Sequence, residues 1–199
     1  SIQRALVVAP LAVVKGVWEQ EAQKWNRLKW LRFSRVIGNP KQRIKALEVE
    51  AEIYVINYEN LSWLLNLTPF PPQFDALVID ESTMVQNWAS VRFKGKGRRK
   101  NAKTGIWLPP QKGLRHVVKN FEYVYLMSGT PKPGEYLVLW SQMFCLDLGD
   151  ALGENITLFK SRYYYQYGPE PYMIQIRGKK YEQEIQDRIK HLCYRIPQS

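Results

Sequence analysis

Ala76-Leu-Val-Ile-Asp-Glu-Ser-Thr83 decides the fold. Four apolar residues in a row predict a strand buried on both faces, as in a parallel sheet covered by helices. The acidic pair Asp80-Glu81 stands where that strand must end. Three further apolar runs have the same shape: Ala5-Leu-Val-Val-Ala9, Ile53-Tyr-Val-Ile56 and Tyr123-Val-Tyr-Leu-Met127. Each is followed at once by polar or conformationally special residues, namely Pro10, Asn57 and Ser128-Gly129-Thr130. Between the runs, apolar positions recur at helical steps. Val14, Val17, Trp18, Ala22 and Trp25 form one stripe, predicting a helix over Ala12 to Trp25 that packs both tryptophans on the sheet. Shorter helices are expected around Leu61 to Leu65, from Glu135 to Leu146, and from Glu182 to Tyr194. Strands alternating with helices predict an α/β domain of three layers with a central parallel sheet. In open parallel sheets, ligands bind at the strands' carboxyl ends, where these special residues collect.

Composition bounds the rest. The 199 residues are 45% hydrophobic and 13% aromatic, enough for one sizeable core. A net charge of +11 favours a polyanionic partner, nucleic acid before membrane. Seven of those charges come from Arg92 to Lys103, RFKGKGRRKNAK, whose glycines and charge predict a mobile loop. Such a loop is either simply solvated or in contact with DNA phosphates, through Arg98, Arg99 and Lys100 above all. Arg162 with Tyr163-Tyr-Tyr165 and Tyr167 could stack on bases or pack the C-terminal part against the sheet. Two distant cysteines, Cys145 and Cys193, argue against a disulfide framework or zinc site and for a reducing compartment. The longest apolar stretch, Ala5 to Val14, is interrupted by Pro10 and is too short to span a bilayer.

A carboxylate pair ending a buried strand is the Walker B arrangement of P-loop ATPases, in which the first acid helps hold magnesium and the second orients water. Alone, the pair could equally be a solvated acidic turn. With Leu126-Met-Ser-Gly-Thr-Pro131 on a following strand, the order resembles superfamily 2 helicases, closest to the Swi/Snf-like branch of phage and prophage proteins. Leu6-Val-Val-Ala-Pro-Leu11 with Trp18, Glu21 and Lys24-Trp25 resembles motif Ia, and Val55-Ile-Asn-Tyr-Glu59 the motif after it. Asp80-Glu-Ser-Thr83 stands for motif II, and Ser128-Gly-Thr-Pro131 with Leu139-Trp140 for motif III. Ile185 to Arg195 is similar to the stretch before the linker to a second lobe.

The resemblance implies a RecA-like lobe of a P-loop NTPase over residues 1–199, expected to be N-terminally truncated before motif I and to be followed by a second RecA-like lobe. It implies ATP and magnesium as cofactors, with Asp80 holding the metal and Glu81 activating water. Ser128, Gly129 and Thr130 would couple nucleotide state to DNA contact. Lys15, Gly16 and Asn57 would meet the DNA backbone without reading bases. The implied activity is ATP-dependent movement along double-stranded DNA, in the cytoplasm of a bacterial host. A non-catalytic DNA-binding or protein-interaction module on the same lobe is the alternative. One decoy, Gly97-Arg-Arg-Lys-Asn-Ala-Lys-Thr104, has the spacing of a phosphate loop, but no apolar strand precedes it and Ala102 replaces the glycine.

Overall fold

The computed structural model describes residues 2–67, 74–103, 106–108, 110–129 and 135–194. The chain runs β1 (Ala5–Ala9), α1 (Leu11–Val14), α2 (Val17–Gln23), β2 (Phe33–Val36), α3 (Pro40–Glu48), β3 (Ile53–Asn57), α4 (Tyr58–Leu65) and β4 (Ala76–Asp80). A 3-10 turn over Ser82–Val85 leads to α5 (Val91–Lys94), β5 (Arg99–Lys100), β6 (Trp107–Leu108), α6 (Leu114–Val117) and β7 (Tyr123–Met127). Then come α7 (Leu139–Asp147), α8 (Ile156–Tyr163), β8 (Tyr164–Gln166), β9 (Ile174–Ile176) and α9 (Lys179–Ile189).

The expected parallel sheet is present. Five strands pair in the order β2-β3-β1-β4-β7, every pair parallel. β1 is central and wholly buried, and its alternate side chains serve two cores. Leu6 and Val8 join Tyr54, Ile56, Leu77 and Ile79 in the larger core with α4 and α7. Val7 and Ala9 face the smaller one, with Val14 and Val55 and the partly buried Trp18. Three layers result, as the α/β reading requires. β7 lies at the sheet edge: Val124 and Leu126 pack on the larger core, while Tyr125 and Met127 are exposed.

Several local expectations need correction. The helix over Ala12 to Trp25 is two helices, broken at Lys15 and Gly16, because Gly16 takes φ 153, which side-chain-bearing residues rarely adopt. Trp18 packs on the sheet, but Trp25 lies beyond the end of α2 and is 64% exposed. α4 starts at Tyr58 rather than Leu61, α7 is preceded by a 3-10 turn, and α9 runs three residues earlier and ends at Ile189. β2 and α3 have no counterpart in the sequence reading, although Asn39, Pro40 and Gln42 form a capping box with proline at the first helical position.

The basic segment is also more structured than a mobile loop. Ser90 caps α5, and Phe93 is 1% exposed, with ring centroids 5.8 and 5.7 Å from Trp140 and Phe144. Gly95 has φ 80, and a Cβ there would come within 2.1 Å of the Gln111 carbonyl oxygen. Beyond it, Lys96 and Gln111 exchange backbone hydrogen bonds of 2.9 and 2.7 Å, and β5 pairs antiparallel with β6. A buried phenylalanine and a close backbone crossing thus turn a charged run into a hairpin on a fixed base. Of the tyrosine cluster, Tyr163 and Tyr164 are buried, whereas Tyr165 and Tyr167 are exposed.

Candidate functional site

Parallel pairing brings the special residues to one edge. Ala9 lies opposite Asn57, and Asp80 opposite Met127, so the exits of β1, β3, β4 and β7 line up. Asp80 is half-buried, and its Oδ2 accepts a hydrogen bond of 3.0 Å from the Trp18 indole. Among the described residues, no hydrogen-bond partner meets Oδ1. Glu81 is one of two non-glycine residues with positive φ among the described residues, at φ 63 and ψ 65. This left-handed conformation costs a side-chain-bearing residue about 1 kcal/mol or more and persists only where its surroundings impose it.

The surroundings do so from three sides. The buried Tyr58 hydroxyl donates toward the Asp80 and Glu81 carbonyl oxygens, at 2.7 and 3.1 Å. Burial, then the charges of Asp80 and Glu81, pushes the Tyr58 phenol well above its ordinary pKa, so it stays a donor. Ser82, next in the chain, donates to Gln142 Oε1 at 2.7 Å inside the core. Ser141 donates to the carbonyls of Val85 and Gln86, at 2.9 and 2.7 Å. Finally, Glu81 Oε1 accepts from the Thr83 hydroxyl and, at 3.2 Å, from Ser128 just past the end of β7. The acidic turn is therefore fastened to α4, α7 and β7.

Of the expected site residues, Glu81 and Ser128 meet directly, with Asp80 preceding Glu81 in the chain. Gly129 follows in an exposed position where an added Cβ would touch nothing within 4 Å, and Thr130 lies outside the described residues. Lys15 is exposed beside the buried Gly16 at the turn between α1 and α2. Asn57 is turned inward: its amide donates to Glu59 at 2.6 Å and its oxygen accepts from Asn60 at 2.6 Å. Asn60 in turn accepts from Arg43, whose guanidinium lies 4.1 Å from the Trp63 ring centroid. As placed, the Asn57 carboxamide braces its own turn. Arg98, Arg99 and Lys100 sit on the β5–β6 hairpin, while Arg92 is engaged within the lobe, 3.7 Å from Glu59 and over the Tyr58 ring.

Tyr58, Ser141 and Gln142 escaped the sequence reading as site residues. The signal for the last two was available: Ser141-Gln142 are the polar residues of the otherwise apolar run Leu139 to Leu146. The sequence places Trp18 in a packing stripe and in the stretch that resembles motif Ia; its bond to Asp80 is a finding of the structure.

A single Asp80 oxygen suits magnesium, which keeps most of its waters and takes one or two carboxylates plus phosphate oxygens. Among the described residues no three His, Cys, Asp or Glu side chains gather into an all-protein metal site. The decoy Gly97 to Lys103 lies on the hairpin, not between a buried strand and a helix, so it is not a phosphate loop; Thr104 is outside the described residues. A concavity of about 210 Å³ lined by Asp150, Arg162, Tyr163 and Arg188 shares no residue with the strand exits. No helix among the described residues is long and apolar enough to cross a membrane.

No protein-family model matches the chain. It is 33% identical over 160 residues to putative protein p41 of Acyrthosiphon pisum secondary endosymbiont phage 1, covering 80% of this chain and 32% of that protein. The Sulfolobus solfataricus SWI2/SNF2 ATPase core in complex with dsDNA superposes with a TM-score of 0.54 at 23% identity, over 81% of this chain and 28% of that one. The Sulfolobus solfataricus SWI2/SNF2 ATPase core domain aligns at 26% identity with a TM-score of 0.46, again over 28% of its length. The chain thus spans about a third of the length of the proteins it matches. It has a RecA-like α/β fold of the kind found in a SWI2/SNF2 ATPase core.

Proposed function

We propose that residues 1–199 are the front lobe of an ATP-dependent DNA translocase of the Swi/Snf-like kind, phage-borne like the relative it matches. The observation that carries this reading is the join between two strand exits: Glu81, held in a left-handed turn, accepts from Ser128 at 3.2 Å, while Asp80 beside it keeps one oxygen without a partner among the described residues. A solvated acidic turn would need neither the backbone cost nor the braces. The dsDNA bound to the Sulfolobus solfataricus core adds support for a DNA partner.

Magnesium bound with ATP would supply charge neutralisation at the phosphoryl group. Asp80 would hold that ion through its open oxygen, with Trp18 fixing the other. Glu81 would orient and deprotonate the attacking water, its Oε1 restrained by Thr83 and Ser128. Ser128, Gly129 and Thr130 would transmit the state of that carboxylate to β7. Lys15, Gly16 and the Asn57 turn would meet one DNA strand, and Arg98, Arg99 and Lys100 would add sequence-independent phosphate contacts.

The reading requires a glycine-rich phosphate loop, which none of the described residues forms. Support for its position comes from β7, whose edge is unpaired among the described strands and whose Tyr125 and Met127 are exposed. A second RecA-like lobe would complete the ATP site. The same lack of a phosphate loop favours the alternative, a non-catalytic DNA-binding or interaction module. The test is DNA-stimulated ATP turnover by the longest natural form of the protein. Turnover that Glu81→Gln abolishes while nucleotide affinity is retained supports the translocase. Retained turnover in Glu81→Gln would make the acidic pair structural, and absence of turnover and nucleotide binding would favour the module.

A further inference from the structure

From Ser82 to Phe121 the chain contains no acidic residue and ten Lys or Arg. The β5–β6 hairpin stands at the middle of that stretch. Its base is fixed by Phe93, by the crossing of Gly95 and Gly113, and by the Lys96–Gln111 bridge. Its ladder pairs Lys100 with Trp107 and continues through Asn101 N–H to the Ile106 carbonyl at 2.8 Å. No carboxylate among the described residues pairs with Arg98, Arg99 or Lys100.

The hairpin also carries apolar surface that a solvated basic loop has no use for. Ile106 is 64% and Trp107 56% exposed. The Arg98 guanidinium lies 5.2 Å from the Trp107 ring centroid. Trp107 thus carries a cation against its ring and still keeps more than half of its surface exposed. The guanidinium fixes the ring and adds positive charge behind it. Duplex DNA presents phosphates to such a surface but keeps its base faces stacked inside. An unpaired base offers both the phosphate and a flat face of matching size.

We propose that Trp107, backed by Arg98, is a stacking platform for an unpaired DNA base. The hairpin then adds affinity for an unpaired or locally opened segment to the backbone contacts the lobe makes with duplex DNA. This rests on the DNA-binding reading above and adds the kind of DNA recognised.

Fluorescence anisotropy on the purified 199-residue chain tests it, with three labelled probes of matched phosphate number: single strand, intact duplex, and duplex with a three-base bulge. Trp107→Ala is expected to weaken the single strand and the bulge by about tenfold, the loss of one stacked base, and intact duplex by less than ~2-fold. Its salt slope should match wild type, because no phosphate contact is removed. Trp107→Phe keeps an aromatic face and should retain most of the affinity, which guards against a hairpin merely loosened by the alanine. Arg99→Ala with Lys100→Ala should weaken all three probes and flatten their salt slopes. If that double variant behaves so while Trp107→Ala binds the unpaired probes as wild type, the platform is refuted and the DNA-binding reading stands. Equal weakening of all three probes by Trp107→Ala also refutes the platform. Probes that bind no variant, wild type included, overturn the DNA-binding reading and the platform together.

Discussion

Removing one oxygen atom, in Tyr58→Phe, isolates the brace that holds the acidic turn. The ring is 2% exposed and stays in place, so no cavity opens. What disappears is a donor shared by the Asp80 carbonyl at 2.7 Å and the Glu81 carbonyl at 3.1 Å. The Glu81 carbonyl keeps a second donor, the Met84 amide at 3.0 Å, so the larger loss falls on Asp80. One net hydrogen bond with partial desolvation of a carbonyl is worth about 1.5 kcal/mol, or about 3–6 °C in Tm for a domain of this size. The left-handed backbone at Glu81 then loses one of its restraints, and the loosening should concentrate there. Thermal unfolding followed by circular dichroism gives the first quantity. Hydrogen exchange gives the second: the Met84 and Gln86 amides, bonded to the Glu81 and Thr83 carbonyls, should exchange faster while β1 is unchanged. A Tm within ~1 °C of wild type together with unaltered exchange at Met84 would refute the assignment of Tyr58 as a brace.

Phe93→Ala should destabilise by about 3–4 kcal/mol, as for a buried aromatic, and should release the base of the hairpin, read as proteolysis between Lys94 and Lys112. Cys145 is fully buried and its thiol is pushed up to about 12, so a thiol reagent at neutral pH should label only the exposed Cys193 until denaturant is added. Arg32, by hydrogen bonds from its side chain and its backbone amide, holds the Glu52 carboxyl down to about 2. The backbone amides of Arg4 and Gln3 hold Asp75 below its ordinary value. Depressed carboxylates stabilise above their unfolded pKa values and lose that contribution as pH falls through the folded ones. Tm should therefore fall from about pH 4.5 toward about 2, and Glu52→Gln should shrink that fall. Residues 1–199 alone should hydrolyse ATP negligibly with DNA present, measured by steady-state phosphate release, because no described residue cradles phosphate.

The layered α/β plan is legible in the sequence. Runs such as Leu6-Val-Val and Leu77-Val-Ile can be satisfied only by burial on both faces, and their ends announce themselves with Pro10, Asn57 and Asp80. The sequence also makes the acidic pair and Ser128 legible, because composition changes abruptly where a buried strand meets solvent. β2 was not legible, for Phe-Ser-Arg-Val lies beside β3 at the sheet margin, and Arg35, exposed there, disguises the strand. Tertiary structure alone decided the order β2-β3-β1-β4-β7, which sets Ser128 against Glu81 rather than elsewhere along the edge. It decided too that Asn57 turns inward, that Tyr58 and Gln142 reach the acidic turn, and that a glycine-rich basic run becomes a hairpin. Asn57 is held by its near neighbours Glu59 and Asn60, whereas the bracing of the acidic turn depends on contacts across 22 to 60 residues, Tyr58 to Asp80 and Ser82 to Gln142, and the hairpin on one buried ring, Phe93. Local pattern encodes which face of an element is apolar. Which partner meets a polar group at its end is set only when the sheet has assembled.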